Sequence, residues 1–370
     1  MYFYNSLLLI SNILILITQT QSQAAKGPGI AGCNHLGFMN TKCCLPDIEP
    51  SGLPEACTSI VYDGVFVDLN YHVFGDPCTC TDDKKVIENL DTTLNSKRPT
   101  YVYYGHISQS EWTQVLACEA CNGGINSLDE MKGLKAFLDE HPGITGLILT
   151  TFENDKKYSI EFPGFSENLK KYIEVMKTSF PELEVGIEVS GRFLIDQFTA
   201  PWLPWLDIKV IDPVTDFFVI NVMYMNDCTC ENDLYGSGTT PMTSKSTNYT
   251  LEKLKCILPE ASFPKEKTYF RFRLNPSSDP NDSNTMCDLT IQKMCTSPAD
   301  TCLFCSDTLE SFNEKGKFAK DNGVGFFTSN LDLNDPTNLC KCEKPFASFY
   351  AILDGFNGVT SKPCDLFTRK

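Results

Sequence analysis

The chain has 370 residues, is 42% hydrophobic, carries 18 cysteines and has a formal net charge of −16. So acidic a chain is a poor match for nucleic acid or an anionic membrane surface, while its apolar content is enough for a sizeable core. An even and high cysteine count points to disulfides in an exported chain, not to metal.

The first 23 residues carry no charged side chain. They hold an apolar run from Leu7 to Ile17, broken only by Ser11 and Asn12, and then a polar stretch from Thr18 to Gln23. This reads as a secretory signal peptide without the usual basic start. The alternative, a membrane anchor, needs about 20 apolar residues, and no later segment reaches that length. Residues 24–370 are then expected to form a single domain. Two sequons, Asn248-Tyr249-Thr250 and Asn281-Asp282-Ser283, sit in polar, turn-rich stretches and suit an exported glycoprotein.

Cys33 to Phe38 is a short first strand. Cys57 to Tyr62, continuing through Val65–Val67, is a second, rich in β-branched and aromatic residues. Asp82 to Leu94 is helical, with Val86, Leu90 and Leu94 spaced by four. Tyr101 to Gly105 is a third strand. Ser127-Leu128-Asp129-Glu130 is a capping box that opens a helix with Met131, Leu134 and Leu138 on one face. Pro142-Gly143 ends it, and Gly143 to Asn154 reads as strand four. Ser166 caps the next helix, whose stripe is Leu169, Tyr172, Ile173, Met176 and Phe180. Leu183 to Val189 alternates with Glu182, Glu184 and Glu188 and is strand five. Phe217 to Met225 is an apolar run broken only by Asn221, expected of a strand buried on both faces. Helical Leu251 to Leu258 precedes strand seven, Tyr269 to Arg273. A helix from about Leu309 to Lys320 precedes strand eight, which opens at Gly325-Phe326-Phe327. Eight strands with intervening helices predict a parallel (β/α)₈ barrel, a TIM barrel. Asn275 to Asp307 is a Ser/Asp/Pro-rich, cysteine-bearing loop.

Four stretches together resemble the chitinase-type glycoside hydrolases that cleave by substrate assistance, glycoside hydrolase family 18. Leu53 to Tyr62 is similar to that family's second-strand entry, C-T-H-I-I-Y in its common form. Lys97 to His106 is placed like the strand ending S-x-G-G, with only Gly105 kept. Asp216 to Asn226 is similar to D-F-x-x-x-M-x-Y-D on the sixth strand. Gly325 to Asp335 is similar to G-x-x-x-W-x-x-D-x-D-D on the eighth. The resemblance covers essentially the whole mature chain and implies a disulfide between Cys33 and Cys57. The extra α/β domain that many chitin-cleaving members carry between strands seven and eight is absent or shortened here.

The family's chemistry needs a glutamic acid to protonate the leaving oxygen, while the substrate's own N-acetyl group attacks the anomeric carbon. Its fourth strand carries D-x-x-D-x-D-x-E. Here the aspartates are missing in either register of Gly143 to Asn154. If Gly146 takes the family glycine's place, Phe152 stands at the acid position. If Phe152-Glu153 takes the place of Trp-Glu, the acid is kept, but Thr151 and Leu149 replace the aspartates. Met225 and Asn226 replace the Tyr and Asp that hold the acetamide, and Ser329 replaces the floor tryptophan. Glu153 is the only candidate acid; its bland reading is an exposed carboxylate at a strand end.

The candidate ligand-binding residues are Tyr104, Glu153, Trp202, Trp205, Tyr224 and Asn226. Trp202 and Trp205 bracket Pro204 and either stack on sugar or wedge a helix. His35, His72, His106 and His141 are the only histidines, and none is at metal spacing with another. His106, at a strand's C-terminal end, is either functional or a loop histidine. Cys118/Cys121 and Cys302/Cys305 have zinc or redox spacing, but export favours disulfides. The C-x-C pairs Cys78/Cys80, Cys228/Cys230 and Cys340/Cys342 are expected to bridge between loops and staple the barrel's rim. No cofactor or metal is expected. The function expected is that of a secreted pseudoenzyme binding chitin or N-acetylglucosamine oligomers, or a protein receptor. The rival is a hydrolase using Glu153 on an altered substrate.

Overall fold

A computed structural model describes residues 30–36, 52–63, 65–68, 70–75, 83–106, 109–116, 127–152, 164–199, 206–229, 232, 234, 236–278, 290–296 and 304–364. Eight parallel strands close a barrel: β1 (Ile30–Leu36), β2 (Ile60–Asp63), β3 (Thr100–Tyr104), β4 (Ile144–Leu149), β5 (Glu184–Ser190), β6 (Phe217–Asn221), β7 (Thr268–Arg273) and β8 (Gly325–Ser329). Each strand pairs with its sequence neighbours. β1 meets β8 through Ile30↔Phe326, Gly32↔Phe327 and Cys33↔Thr328, with an irregularity between Ile30 and Gly32. The longer helices among the described residues are α1 (Asp83–Leu94), α2 (Gln109–Leu116), α3 (Ser127–Glu140), α4 (Phe165–Ser179), α5 (Gly191–Thr199), α6 (Leu251–Ala261), α7 (Leu309–Asp321) and α8 (Ala347–Asn357). The fold is the expected (β/α)₈ barrel.

Side chains alternate along each strand, so one set faces the helices and the other faces the lumen. Val102, Leu147, Ile187, Phe218, Phe270 and Phe326 belong to the outer set and pack on the helices' buried stripes. Each such large side chain contributes roughly 1.5–3 kcal/mol on burial. Asp216 ties the start of β6 to its neighbours: its carboxylate accepts from Lys177 Nζ at 2.8 and 2.9 Å and from the Val185 N–H at 2.8 Å. Thr250 and Thr308 cap α6 and α7 through bonds from the N–H groups of Lys253 and Ser311, each worth typically about 1 kcal/mol. The sequence reading did not include α8. It lies so close to α7 that a Cβ on Gly316 would sit 1.9 Å from the Ile352 carbonyl oxygen, and one on Gly355 1.9 Å from that of Asn313.

Several local expectations are corrected. β1 begins three residues earlier than read. The second run divides into β2 and a separate hairpin, Val65–Val67 with Val73–Gly75. Ser166 does not cap α4. Gly164, at φ 87°, holds that position, and the Ser166 hydroxyl instead accepts from the Asp207 N–H. Glu130 does not reach back in a capping box. Its carboxylate is fully buried and taken by two phenols, stronger competitors than a solvated backbone N–H.

Between β7 and β8 the described residues form a hairpin, Ser277–Ser278 with Phe304–Cys305, a short helix, Ile291–Thr296, and α7. Among the described residues two disulfides tie this region down, Cys228–Cys305 and Cys295–Cys340, and a third, Cys342–Cys364, links the stretch after β8 to the C-terminal segment. Cys340 and Cys342 thus take different partners, and Cys342 reaches the C-terminal segment instead of a neighbouring loop. Cys57 is disulfide-bonded; the side chain of Cys33, its implied partner, lies outside the described residues. So do Cys78, Cys80, Cys118, Cys121, Cys230 and Cys302, along with the expected signal segment. Peptide mapping without reduction should recover the three described pairs as linked fragments; a Cys302–Cys305 link in their place would contradict this arrangement.

Candidate functional site

Val61, Tyr103, Ile148, Val219 and Phe327, from five different strands, make a cluster separate from the outer core. They are the lumen-facing set. Tyr101, Phe217 and Tyr269 pack against it, with Phe217 edge-on to both tyrosines. Tyr101 donates to Glu184 at 2.9 Å. Burial, and then the Glu184 carboxylate, hold its phenol above the ordinary range. A Cβ on Gly146 would meet the Tyr101 ring, so Gly146 and Ile148 both face inward.

Towards the C-terminal ends of the strands, the lumen holds an ion pair. Glu188 Oε2 accepts from Arg271 at 2.8 Å and from the Tyr103 hydroxyl at 2.5 Å. Glu188 Oε1 accepts from Asn221 Nδ2 at 2.9 Å and from Arg271 at 3.1 Å. Arg271 Nε donates to Ser329 Oγ at 2.5 Å, and the guanidinium lies over the Tyr103 ring, 4.4 Å from its centroid. Both charged side chains are only 8% exposed. A buried charge pair needs such extra hydrogen bonds to offset desolvation. Ser329, the residue at the family's floor-tryptophan position, is fully buried and serves Arg271. The sequence carried a trace of this network: carboxylates at alternate positions of β5 and arginines at alternate positions of β7.

After Leu149 the chain leaves the lumen. Thr151 has φ 64°, its hydroxyl donates to the His106 carbonyl at 2.6 Å, and Trp112 Nε1 donates to the Thr150 carbonyl at 2.8 Å. A Cβ on Gly105 would sit 2.7 Å from Thr151 Oγ1, which explains why glycine stands at this strand end. The left-handed residue breaks the strand alternation. Phe152 therefore turns outward and packs on Trp112 and Phe165, with ring centroids 4.5 and 5.9 Å away. Counting from Gly146, the acid position of the family pattern is this buried phenylalanine. Glu153 lies outside the described residues, as do Trp202, Trp205 and the second sequon at Asn281.

The other candidates are placed as follows. Tyr104 faces the helices. It is fully buried and donates to Glu130 Oε1 at 2.8 Å, beside Tyr172 at 2.6 Å. Burial and the Glu130 carboxylate push both phenols well above their ordinary range. Tyr104 is thus removed as a ligand-binding candidate, because its strand parity points it away from the lumen. His106 is also fully buried, with Nε2 3.3 Å from Glu130 Oε1, and is not a loop histidine. Asn226 is 6% exposed. Its amide nitrogen donates to the carbonyls of Thr239 and Tyr249, and its oxygen accepts from Thr247. It shapes the loop after β6, and both its amide hydrogens are committed there. Tyr224 is 51% exposed. Asn248 is exposed, while Thr250 of the same sequon caps α6. His72 is exposed near Asp68, and His141 pairs with Asp91 at 2.6 Å. Among the described residues no group of three or more His, Cys, Asp or Glu could hold a metal ion. A cavity of about 310 Å³ lined by Leu138, Ile144, Phe180 and Leu183 opens beside the starts of β4 and β5, the end of a barrel that serves stability.

No family model matches the chain, and no curated protein matches it in sequence. Solved structures do match. The Ostrinia furnacalis Group II chitinase catalytic domain 2, in complex with penta-N-acetylchitooctaose, aligns with TM-score 0.67 at 14% identity, covering 91% of this chain and 99% of that one. The fold is that of the chitinase-type barrels. Human YKL-39, described as a pseudo-chitinase with retained chitooligosaccharide binding properties, aligns with TM-score 0.62 at 13% identity over 90% of this chain and 100% of its own. The immunomodulatory active chitinase TsES1 from Trichuris suis aligns with TM-score 0.60 at 14% identity over 87% and 99%. Neighbours thus include both chitinases and a pseudo-chitinase, and at these identities the likeness establishes the fold.

The lumen placement of β4 has a direct test. Ile148→Asp would set a carboxylate against the apolar side chains of Val61, Val219 and Phe327 and the Tyr103 ring. A loss of about 3 kcal/mol or more in unfolding free energy is expected from urea denaturation. An unchanged midpoint would mean that Ile148 does not face the lumen.

Proposed function

We propose that this chain is a secreted, chitinase-like barrel that binds N-acetylglucosamine oligomers without hydrolysing them. The observation that carries this reading is the lumen. Where a substrate-assisted hydrolase needs a ladder of acids, β4 presents Ile148 and then turns Phe152 outward. The lumen carboxylate towards the C-terminal end of β5, Glu188, accepts four hydrogen bonds, two of them from Arg271. A carboxylate so committed has no free lone pair for a leaving oxygen or an attacking water. Losing a single proton-transfer group costs about 10²–10⁴ in rate; here the acid's setting, the acetamide holder and the aromatic floor are all replaced.

Export is supported by the uncharged apolar N-terminus and by disulfides, three of which have both partners among the described residues; no helix among the described residues is long and apolar enough to cross a membrane. Glycan binding is supported by fold neighbours whose descriptions include chitooligosaccharides, the pseudo-chitinase YKL-39 among them.

The test is one titration of the mature protein with a chitin hexamer, following binding and hydrolysis in the same sample. Binding without cleavage is expected, with little change in the Glu153→Gln variant. Cleavage abolished by Glu153→Gln would overturn the reading and restore that residue as the acid. Neither binding nor cleavage would also overturn it and turn the search to a protein receptor.

A further inference from the structure

The closed lumen raises the question of where a sugar would stack. Tyr103 and Phe327 are 2% and 1% exposed, beneath the Arg271 guanidinium, and Ser329 supplies no ring. Among the described residues three large hydrophobic side chains are exposed: Tyr224, Leu339 and Val359. Tyr224 is the aromatic one. It lies three residues past the end of β6, on the C-terminal side of the barrel, where sites of this architecture are built.

The ring of Tyr224 is held by a fixed base. Arg273, the last residue of β7, places its guanidinium carbon 4.6 Å from the Tyr224 centroid. Arg273 is itself only 8% exposed. Its Nε donates to the Asn275 carbonyl at 3.1 Å, and a terminal nitrogen donates to the Pro276 carbonyl at 2.9 Å. Asn275 is anchored in turn by Asn330 at the end of β8, whose amide nitrogen donates to Asn275 Oδ1 at 2.6 Å. The ends of three strands therefore set the position of one phenol ring. One face rests on an immobilised cation and the ring is half open to water.

We propose that Tyr224, seated on Arg273, is a sugar-stacking residue at the rim of this barrel and takes the apolar face of one pyranose ring of the oligomer. A β-linked N-acetylglucosamine unit presents axial C–H bonds on its faces, and these meet an aromatic face well. Prior fixing of the ring lowers the ordering cost of binding, and the phenol hydroxyl at its wet edge can bond a sugar hydroxyl. This differs from the family's strand-six tyrosine, at whose place Met225 stands, fully buried. The site is thereby moved from the lumen to the rim.

The inference rests on the glycan-binding reading, and one experiment separates the two. Calorimetric titration with the chitin hexamer is run on the wild-type chain, Tyr224→Ala and Tyr224→Trp, with the urea midpoint of each as a fold control. Tyr224→Ala is expected to weaken binding by about tenfold or more, while Tyr224→Trp stays near wild type and all midpoints agree. Equal affinity for wild type and Tyr224→Ala would overturn the stacking role and leave glycan binding standing. No binding by the wild-type chain would overturn the glycan reading and this inference with it.

Discussion

A carboxylate and a guanidinium enclosed in a barrel cannot be left half-paired. Glu188 and Arg271 come from β5 and β7, are nearly out of water, and satisfy one another with help from Tyr103, Asn221 and Ser329. Removing one partner of such a pair typically costs about 3–5 kcal/mol, whereas the intact pair adds little over apolar residues of the same shape. Its consequence here is specificity of arrangement. The network fixes the lumen ends of β3, β5, β6, β7 and β8 at once. It also occupies the lumen towards the C-terminal ends of the strands.

The second constraint lies at the end of β4. Three contacts pin the chain there: Thr151 to the His106 carbonyl, Trp112 to the Thr150 carbonyl, and Phe152 to the Trp112 and Phe165 rings. Glu130, Tyr104, Tyr172 and His106 form the buried polar layer behind this turn. The end of this segment, Phe152, is a hydrophobic anchor between strand and helices. The turn and the ion pair share no residue.

Much of the barrel was legible because strands and helices announce themselves by period. The runs at Phe217–Asn221 and Ile144–Leu149 and the stripe on α4 needed no tertiary information. Local polar signals misled, because tertiary partners outbid them. Glu130 looked like a capping residue until two tyrosines from other elements claimed it, and Ser166 looked like a cap until the Asp207 N–H took its hydroxyl. At the site, strand parity was readable only where the strand stayed regular. Tyr104 and Tyr103 are neighbours with opposite fates, one behind the sheet and one in the lumen, and the sequence did not say which. The Glu188–Arg271 pair joins residues 83 positions apart. Alternating charges on two strands were its only trace. The fixing of Tyr224 by Arg273 depends on loop geometry with no motif at all.

The most direct test of a lumen closed by a structural ion pair is a double-mutant cycle on unfolding free energy with Glu188→Leu, Arg271→Met and the double variant. Each single change is expected to lose about 3–5 kcal/mol, and the double variant far less than their sum, because it leaves no charge unpaired. Losses that simply add, to within about 0.5 kcal/mol, would mean that the two charges do not depend on one another and that the lumen is not closed by their pairing.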